Sequence, residues 1–110
     1  MDNPVYPVPL AAPLADDHLA RAVDRRLPQQ VVNWLRERGH HRYDYDSRAC
    51  QALIHALVHL MGRPITVNFD AHHCDAILFR PTPTGLEEAT MVSDPDWRVA
   101  VCKTVIADLS

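Results

Sequence analysis

An apolar stripe of helical spacing covers residues 49–61 and then gives way to a two-residue alternation, and no other feature constrains the fold as strongly. The stripe predicts a long helix whose buried side consists of Ala49, Cys50, Leu53, Ile54, Leu57, Leu60 and Met61. Gly62 and Pro64 end that helix. Residues 65–69 then alternate apolar and polar side chains, as a half-buried strand does. The middle of the chain therefore combines a helix and a strand.

Two further segments have strand patterns, and short connections join all three. Residues 76–80 and 87–92 predict strands, and turn-forming residues occupy 70–74 and 81–85. Connections this short join antiparallel neighbours, because parallel strands need a longer crossover. The sequence therefore predicts a small three-stranded antiparallel sheet.

Two short amphipathic helices are predicted before the long one. Asp16 or Asp17 caps the first helix, and Pro28 ends it. The same proline fits the first turn of the second helix, which Gly39 closes.

The C-terminal segment carries conflicting signals. Residues 97–107 are rich in valine, which favours a strand. Residues 93–96, however, have the Ser-x-x-Asp form of a capping box, and apolar side chains recur every four residues from Trp97 to Leu109. We therefore expect a C-terminal helix.

Proline separates an N-terminal arm from the rest of the chain. Four of the nine prolines lie within the first thirteen residues and predict an extended, proline-rich arm over residues 1–14. Residues 15–110 have the usual size of one domain. The expected architecture is a single α+β domain in which about four helices pack on the three-stranded antiparallel sheet.

The charge balance disfavours nucleic acid as a partner. The chain has 11 Lys and Arg residues against 14 Asp and Glu, whereas duplex-binding proteins present a basic face. No run approaches the roughly 20 apolar residues of a membrane span. The three cysteines lie in mostly apolar runs without the pairing of a disulfide framework. These features predict a cytoplasmic protein with no direct nucleic-acid or membrane partner.

Three features resemble the small phage-encoded proteins known as phage ABA sandwich domains. A short helix near the start carries Leu19 and Val23, residues 45–49 lead into a long helix followed by short strands, and residues 100–103 lie in a closing helix after an Asp-Pro turn. The resemblance spans residues 16–109. It implies a small phage or prophage accessory protein of similar architecture, and it assigns no catalytic residue.

Histidine and cysteine residues indicate a candidate metal site. His55 and His59 are four residues apart on the predicted long helix, so both imidazoles lie on one face. A turn folded over that helix would add His72 or His73 and Cys74 to complete a tetrahedral zinc shell. The residue after the first helical histidine is not the general-base glutamate of zinc proteases, which excludes that motif. A structural or otherwise hydrolytic zinc-binding protein is the alternative function.

Other residue patterns do not predict catalysis. Cys74 with a nearby imidazole would be a nucleophile only if a cation or a helix N-terminus lowered the pKa of its thiol. Cys50 and Cys102 are predicted core residues, because free cysteine is commonly buried. The three glycines are assigned to caps and turns, which leaves no phosphate-binding loop. We therefore expect a chain that is not an enzyme and needs no cofactor.

The first hypothesis is a non-enzymatic interaction protein, phage or prophage encoded, that covers a surface of a host protein. Its most concrete form is an inhibitor of a host defence system of the anti-CRISPR kind. Acidic side chains at turns and strand ends either meet the partner, since loops gather at one edge of a sheet, or form an ordinary solvated edge. These side chains are Asp70, Asp75, Glu87, Glu88, Asp94 and Asp96.

The second helix predicts a contact beyond the core. Four of the five residues 31–35 are apolar, a broader surface than one core contact needs. We expect Val31 and Trp34 to lie against the arm, a second copy of the chain or a host partner. A homodimer with Trp34 near the two-fold axis is the favoured arrangement.

Overall fold

Four α-helices and three β-strands make up the part of the chain that the computed structural model describes, residues 17–109. In chain order they are α1 His18–Arg26, α2 Gln29–Glu37, α3 Ser47–His59, β1 Ile65–Phe69, β2 Cys74–Thr82, β3 Gly85–Asp94 and α4 Trp97–Asp108. The predicted α+β class and three-stranded sheet are confirmed. The proline-rich arm predicted for residues 1–14 lies outside the described residues. Within residues 17–109, no helix is both long enough and apolar enough to cross a membrane.

The sheet is an antiparallel meander with β2 in the centre. Val67, Ala76 and Val92 are opposite one another on the three strands, so their side chains lie on the same face. Ala76 and Leu78 on this face belong to the buried core, whereas Met91 on the other face is 56% exposed. The helices therefore pack on one side of the sheet, and Met91 marks the opposite side.

The hairpin between β2 and β3 is tighter than predicted. The sequence pattern places a turn at residues 81–85, but β2 continues to Thr82 and β3 begins at Gly85. Pro81 is tolerated because β1 pairs with β2 only as far as Leu78, so this end of β2 is an edge. Gly85 has a φ of +144°, a conformation that favours glycine.

Aspartate side chains cap the two longest helices. Asp46 and Asp96 each accept a hydrogen bond of 2.9 Å from the backbone N–H two residues later, at the starts of α3 and α4. The capping box predicted for residues 93–96 is wrong, because Ser93 remains in β3 and its hydroxyl donates to the Asp75 carboxylate on β2. The predicted C-terminal helix nevertheless forms, since Asp96 itself is its N-cap.

Helix α4 lies at the centre of the packing, between the sheet and α1. Its Val101 and Val105 are fully buried, as the four-residue spacing predicts. Cys50 and Cys102 are also fully buried, which confirms their assignment to the core. Burial raises the pKa of the Cys50 thiol to about 12 and also raises that of Cys102. Both thiols are therefore protonated and unreactive at neutral pH.

A buried tyrosine ties the first two helices to the loop that follows them. Tyr43 is fully buried, and its hydroxyl donates to Asp24 Oδ1 of α1 at 2.8 Å. Arg36 of α2 donates to Asp24 Oδ2 at 2.9 Å. One carboxylate thus joins three segments of the chain.

A second carboxylate joins the end of α4 to the sheet. Asp108 Oδ2 accepts a hydrogen bond of 2.6 Å from Arg63, and its Oδ1 accepts one of 2.8 Å from the Thr90 hydroxyl of β3. Arg63 also donates to the Phe79 carbonyl of β2 at 2.7 Å. This network holds the C-terminus of α4 on the same sheet that its apolar side chains cover.

Candidate interaction site

Helix α2 places Trp34 at the boundary between the core and the surface. Val31, Val32 and Leu35 are buried, with exposures of 3%, 4% and 0%. Trp34 lies beside this buried stripe, is half-buried, and stacks on a side chain of α3. A partner that approaches α2 would therefore meet mainly Trp34. Val31, also predicted to meet a partner, exposes little surface of its own but lines the groove beside Trp34.

Trp34 is the centre of a cluster of ring and guanidinium groups. The guanidinium carbon of Arg38 lies 4.1 Å from the centre of the Trp34 ring. The His55 ring of α3 stacks on Trp34 with ring centres 5.6 Å apart and planes within 9°. His59 lies one helical turn further along α3, with its ring centre 4.3 Å from that of His55. Cation–π attraction and aromatic stacking therefore order this cluster in the free protein.

A helix-end hydrogen bond and an exposed leucine adjoin this cluster. Arg38 follows α2 directly and donates to the Trp34 carbonyl at 3.0 Å, which satisfies a carbonyl at the helix end. Leu60, at the end of α3, is 47% exposed. Trp34 and Leu60 line a groove of about 300 Å³ between the two helices. We call the surface formed by Trp34, Arg38, His55, His59 and Leu60 the Trp34 face.

The six acidic residues predicted to meet a partner lie at two ends of the sheet. Cys74 is opposite Asp94, and Arg80 is opposite Glu87. Six residues of β2, a distance of about 20 Å, therefore separate the two acidic groups. Asp70, Asp75, Asp94 and Asp96 are at one end, and Glu87 and Glu88 are at the other. These carboxylates do not form one surface.

Several of these carboxylates already have partners within the chain. The contacts are Asp75 with His73 at 3.3 Å, Glu87 with Arg80 at 3.6 Å, Asp94 with Lys103 at 3.0 Å and Asp96 with Arg98 at 2.9 Å. Burial raises the pKa of Asp96, but the hydrogen bonds and charge of Arg98 outweigh this and hold the pKa below its usual range. Asp96 is therefore an ionised helix cap. This structural role explains the residue without any contact to another protein.

The predicted metal ligands have two different sets of neighbours. His55 and His59 lie against Trp34 on α3, whereas His72, His73 and Cys74 line a cleft of about 460 Å³ beside the start of α4. Among residues 17–109, no three His, Cys, Asp or Glu side chains form a group that could hold a metal ion. The four-ligand zinc shell remains a prediction that this arrangement does not favour.

The cleft beside α4 is poorly suited to a cysteine nucleophile. Burial raises the pKa of the Cys74 thiol, and nearby carboxylates raise it further. The guanidinium that lines the cleft, Arg98, is engaged by Asp96 at 2.9 Å and by the Tyr45 carbonyl at 2.6 Å. A thiol with a raised pKa is a weak nucleophile at neutral pH. The geometry therefore does not support cysteine–histidine hydrolysis in this cleft.

Sequence reasoning missed two members of the Trp34 face. The sequence pattern does not single out Arg38, and it predicts Leu60 as part of the buried stripe of α3. The spacing of Trp34 and Arg38, four residues apart at the end of a helix, is the signal that could have paired them. No local signal places His55 against Trp34, since that contact depends on how α2 packs on α3.

Comparison with known proteins does not assign a function to the Trp34 face. A scan against protein-family models, a search of curated proteins and a search of solved structures each returned no match. The resemblance to phage ABA sandwich domains therefore stays a prediction.

Proposed function

We propose that this chain is a non-enzymatic binding protein that covers a surface of a protein partner with the Trp34 face. The observation that carries the proposal is the ordered cluster of Trp34 with Arg38 and His55, beside the exposed Leu60. Tryptophan and arginine are enriched among the side chains that dominate binding energy at protein interfaces. A cluster that is already ordered in the free protein also loses less conformational entropy on binding.

Other exposed apolar side chains support this proposal less strongly. Phe69, Leu86 and Met91 are 70%, 57% and 56% exposed, but they lie respectively at the end of β1, in the hairpin and on the open sheet face. Single exposed apolar residues are common on protein surfaces and need no partner. The Trp34 face instead combines an aromatic ring, a cation that lies over that ring, and an apolar side chain that lines a groove with it.

The partner in this proposal is a host protein. The resemblance in layout to phage ABA sandwich domains supports a phage or prophage origin, and inhibition of a bacterial defence system, as by anti-CRISPR proteins, is the concrete form of the proposal. Occlusion needs about 800 Å² of complementary surface on each partner, which is the standard size of a specific interface. Helices α2 and α3 would supply the centre of that surface.

Affinity capture from a bacterial lysate tests this function. We expect immobilised wild-type protein to retain a specific host protein and Trp34→Ala to lose it, because the substitution removes the central side chain of the face. Met91→Ala is the matched control, since Met91 is an exposed apolar residue on the opposite side of the sheet. The proposal is wrong if all three proteins retain the same partner equally, or if none of them retains any.

A second copy of the chain is another possible occupant of the same face. Isologous pairing would place Trp34 near a two-fold axis. Light scattering separates the two cases. A dimeric wild type that becomes monomeric on Trp34→Ala assigns the face to self-association, whereas monomeric masses for both proteins leave the face to a host partner.

A further inference from the structure

We propose that His55 and His59 form a two-histidine chelate for a divalent transition-metal ion. The two residues are separated by one turn of α3, and their ring centres are 4.3 Å apart. Both side chains are exposed, so an ion can reach them without crossing the core. Neutral imidazole is a preferred ligand of Zn²⁺, Cu²⁺ and Ni²⁺.

The observed ring separation is close to what chelation requires. A metal bound at ~2.1 Å from one nitrogen of each ring places the two ring centres about 4.6 Å apart at a right angle and about 5.3 Å apart at a tetrahedral angle. The rings of His55 and His59 are tilted by 43° at 4.3 Å, so a small rotation of exposed side chains opens the required space. The helix backbone does not need to move.

Trp34 orders one of the two ligands in advance. The His55 ring lies parallel to the indole within 9°, and this stacking restricts its rotamers. Restricting a ligand before the ion arrives reduces the entropy lost on binding. His59 completes the pair from the next turn of the same helix.

The chelate differs from the four-ligand zinc shell predicted from the sequence. It uses two protein ligands, which agrees with the finding that no three potential ligands group together among residues 17–109. Water fills the other coordination positions. His72 and His73 take no part, because they line the separate cleft beside α4. The inference also does not rest on the proposed partner, since it concerns the isolated protein.

Tryptophan fluorescence during titration with Cu²⁺ alone tests the chelate, because bound Cu²⁺ quenches a nearby indole. Trp34 contacts His55, and the chain has one other tryptophan, Trp97. His59→Gln removes one ligand and leaves the stacking of His55 on Trp34 in place. We expect it to raise the Cu²⁺ concentration at half-quenching by about tenfold or more, since loss of an outer-shell partner alone weakens metal sites 10–100-fold.

The double variant His72→Gln, His73→Gln is the matched control and is expected to titrate like the wild type. A large excess of Zn²⁺, which does not quench, is expected to restore the fluorescence of the wild type by competition, the excess being needed because imidazole sites bind Cu²⁺ more tightly than Zn²⁺. Circular dichroism confirms that each variant is folded. The chelate is ruled out if His59→Gln titrates like the wild type, or if the control variant alone loses the quenching.

Discussion

Tyr43→Ala is expected to lower the free energy of unfolding by about 4 kcal/mol, the usual effect of truncating a buried aromatic side chain. Tyr43 is fully buried, so its removal leaves a cavity between the loop and the first two helices. Tyr43→Phe keeps the ring and removes only the hydrogen bond of 2.8 Å to Asp24. Its expected effect is about 1 to 2 kcal/mol, because Asp24 is left with one fewer donor. Urea denaturation at neutral pH measures both values.

The pH dependence of stability in the wild type and in Tyr43→Phe gives a further check. Burial, followed by the hydrogen bond to Asp24, raises the pKa of Tyr43 above its ordinary value of 10.0. A group whose folded-state pKa is raised contributes stability below its unfolded-state pKa and loses that contribution as the pH rises above it. The stability difference between wild type and Tyr43→Phe should therefore shrink above about pH 10. A difference that stays constant from neutral to alkaline pH would show that the hydroxyl is not held as the structure places it.

Asp108→Ala is expected to lower the free energy of unfolding by about 3 kcal/mol, the lower end of the effect of breaking a buried ion pair. The Asp108 and Arg63 side chains are 10% and 17% exposed, so little water replaces the lost contact. The substitution also leaves the Thr90 hydroxyl without its acceptor. Removing the carboxylate therefore leaves one charge and one hydroxyl unpaired at the junction of α4 and the sheet.

Glu87→Ala is the matched control for Asp108→Ala. Glu87 also pairs with an arginine, Arg80, but at 3.6 Å and with both side chains more than half exposed. Exposed pairs of this kind contribute about 0 to 1 kcal/mol. Urea denaturation measures both losses. A loss for Asp108→Ala as small as the 0 to 1 kcal/mol expected for Glu87→Ala would mean that the Asp108 network does not stabilise α4.

The fold was largely predictable because it follows from periodicity. The stripe at residues 49–61, the alternation at 65–69 and the four-residue spacing from Trp97 each describe one element, and each element is present. The errors lie where two elements meet. Ser93 has the residue type of a helix cap, but its hydroxyl bonds to Asp75 on the neighbouring strand, a contact that only the register of the sheet creates.

The candidate site was predictable only in part, for the same reason. The width of the apolar surface at residues 31–35 singled out Trp34, but the pattern could not show that Val31 would be buried while Trp34 stays at the surface. Arg38 and His55 join Trp34 through a helix end and an interhelical contact. The acidic residues are likewise divided between two ends of the sheet by the strand register. The register cannot be predicted from composition.

Binding through the Trp34 face, as proposed above, would not require a deep pocket. Small-molecule sites enclose most of the ligand, and the groove between α2 and α3, at about 300 Å³, is at the lower end of their volumes. A protein surface needs no such enclosure, because its contacts spread around a few anchoring side chains. In the proposed complex, Trp34, Arg38 and Leu60 would supply an aromatic, a charged and an aliphatic anchor.

Site-specific photo-crosslinking tests the central claim most directly, because it reports which face of the folded protein touches the partner. A photo-reactive benzoylphenylalanine is introduced at position 60, on the Trp34 face, and in a second protein at position 91, on the open face of the sheet. Both proteins are irradiated in a bacterial lysate. The account predicts a specific crosslinked protein from position 60 that disappears when Trp34→Ala is added, and no such product from position 91. A specific product from position 91 alone would contradict it.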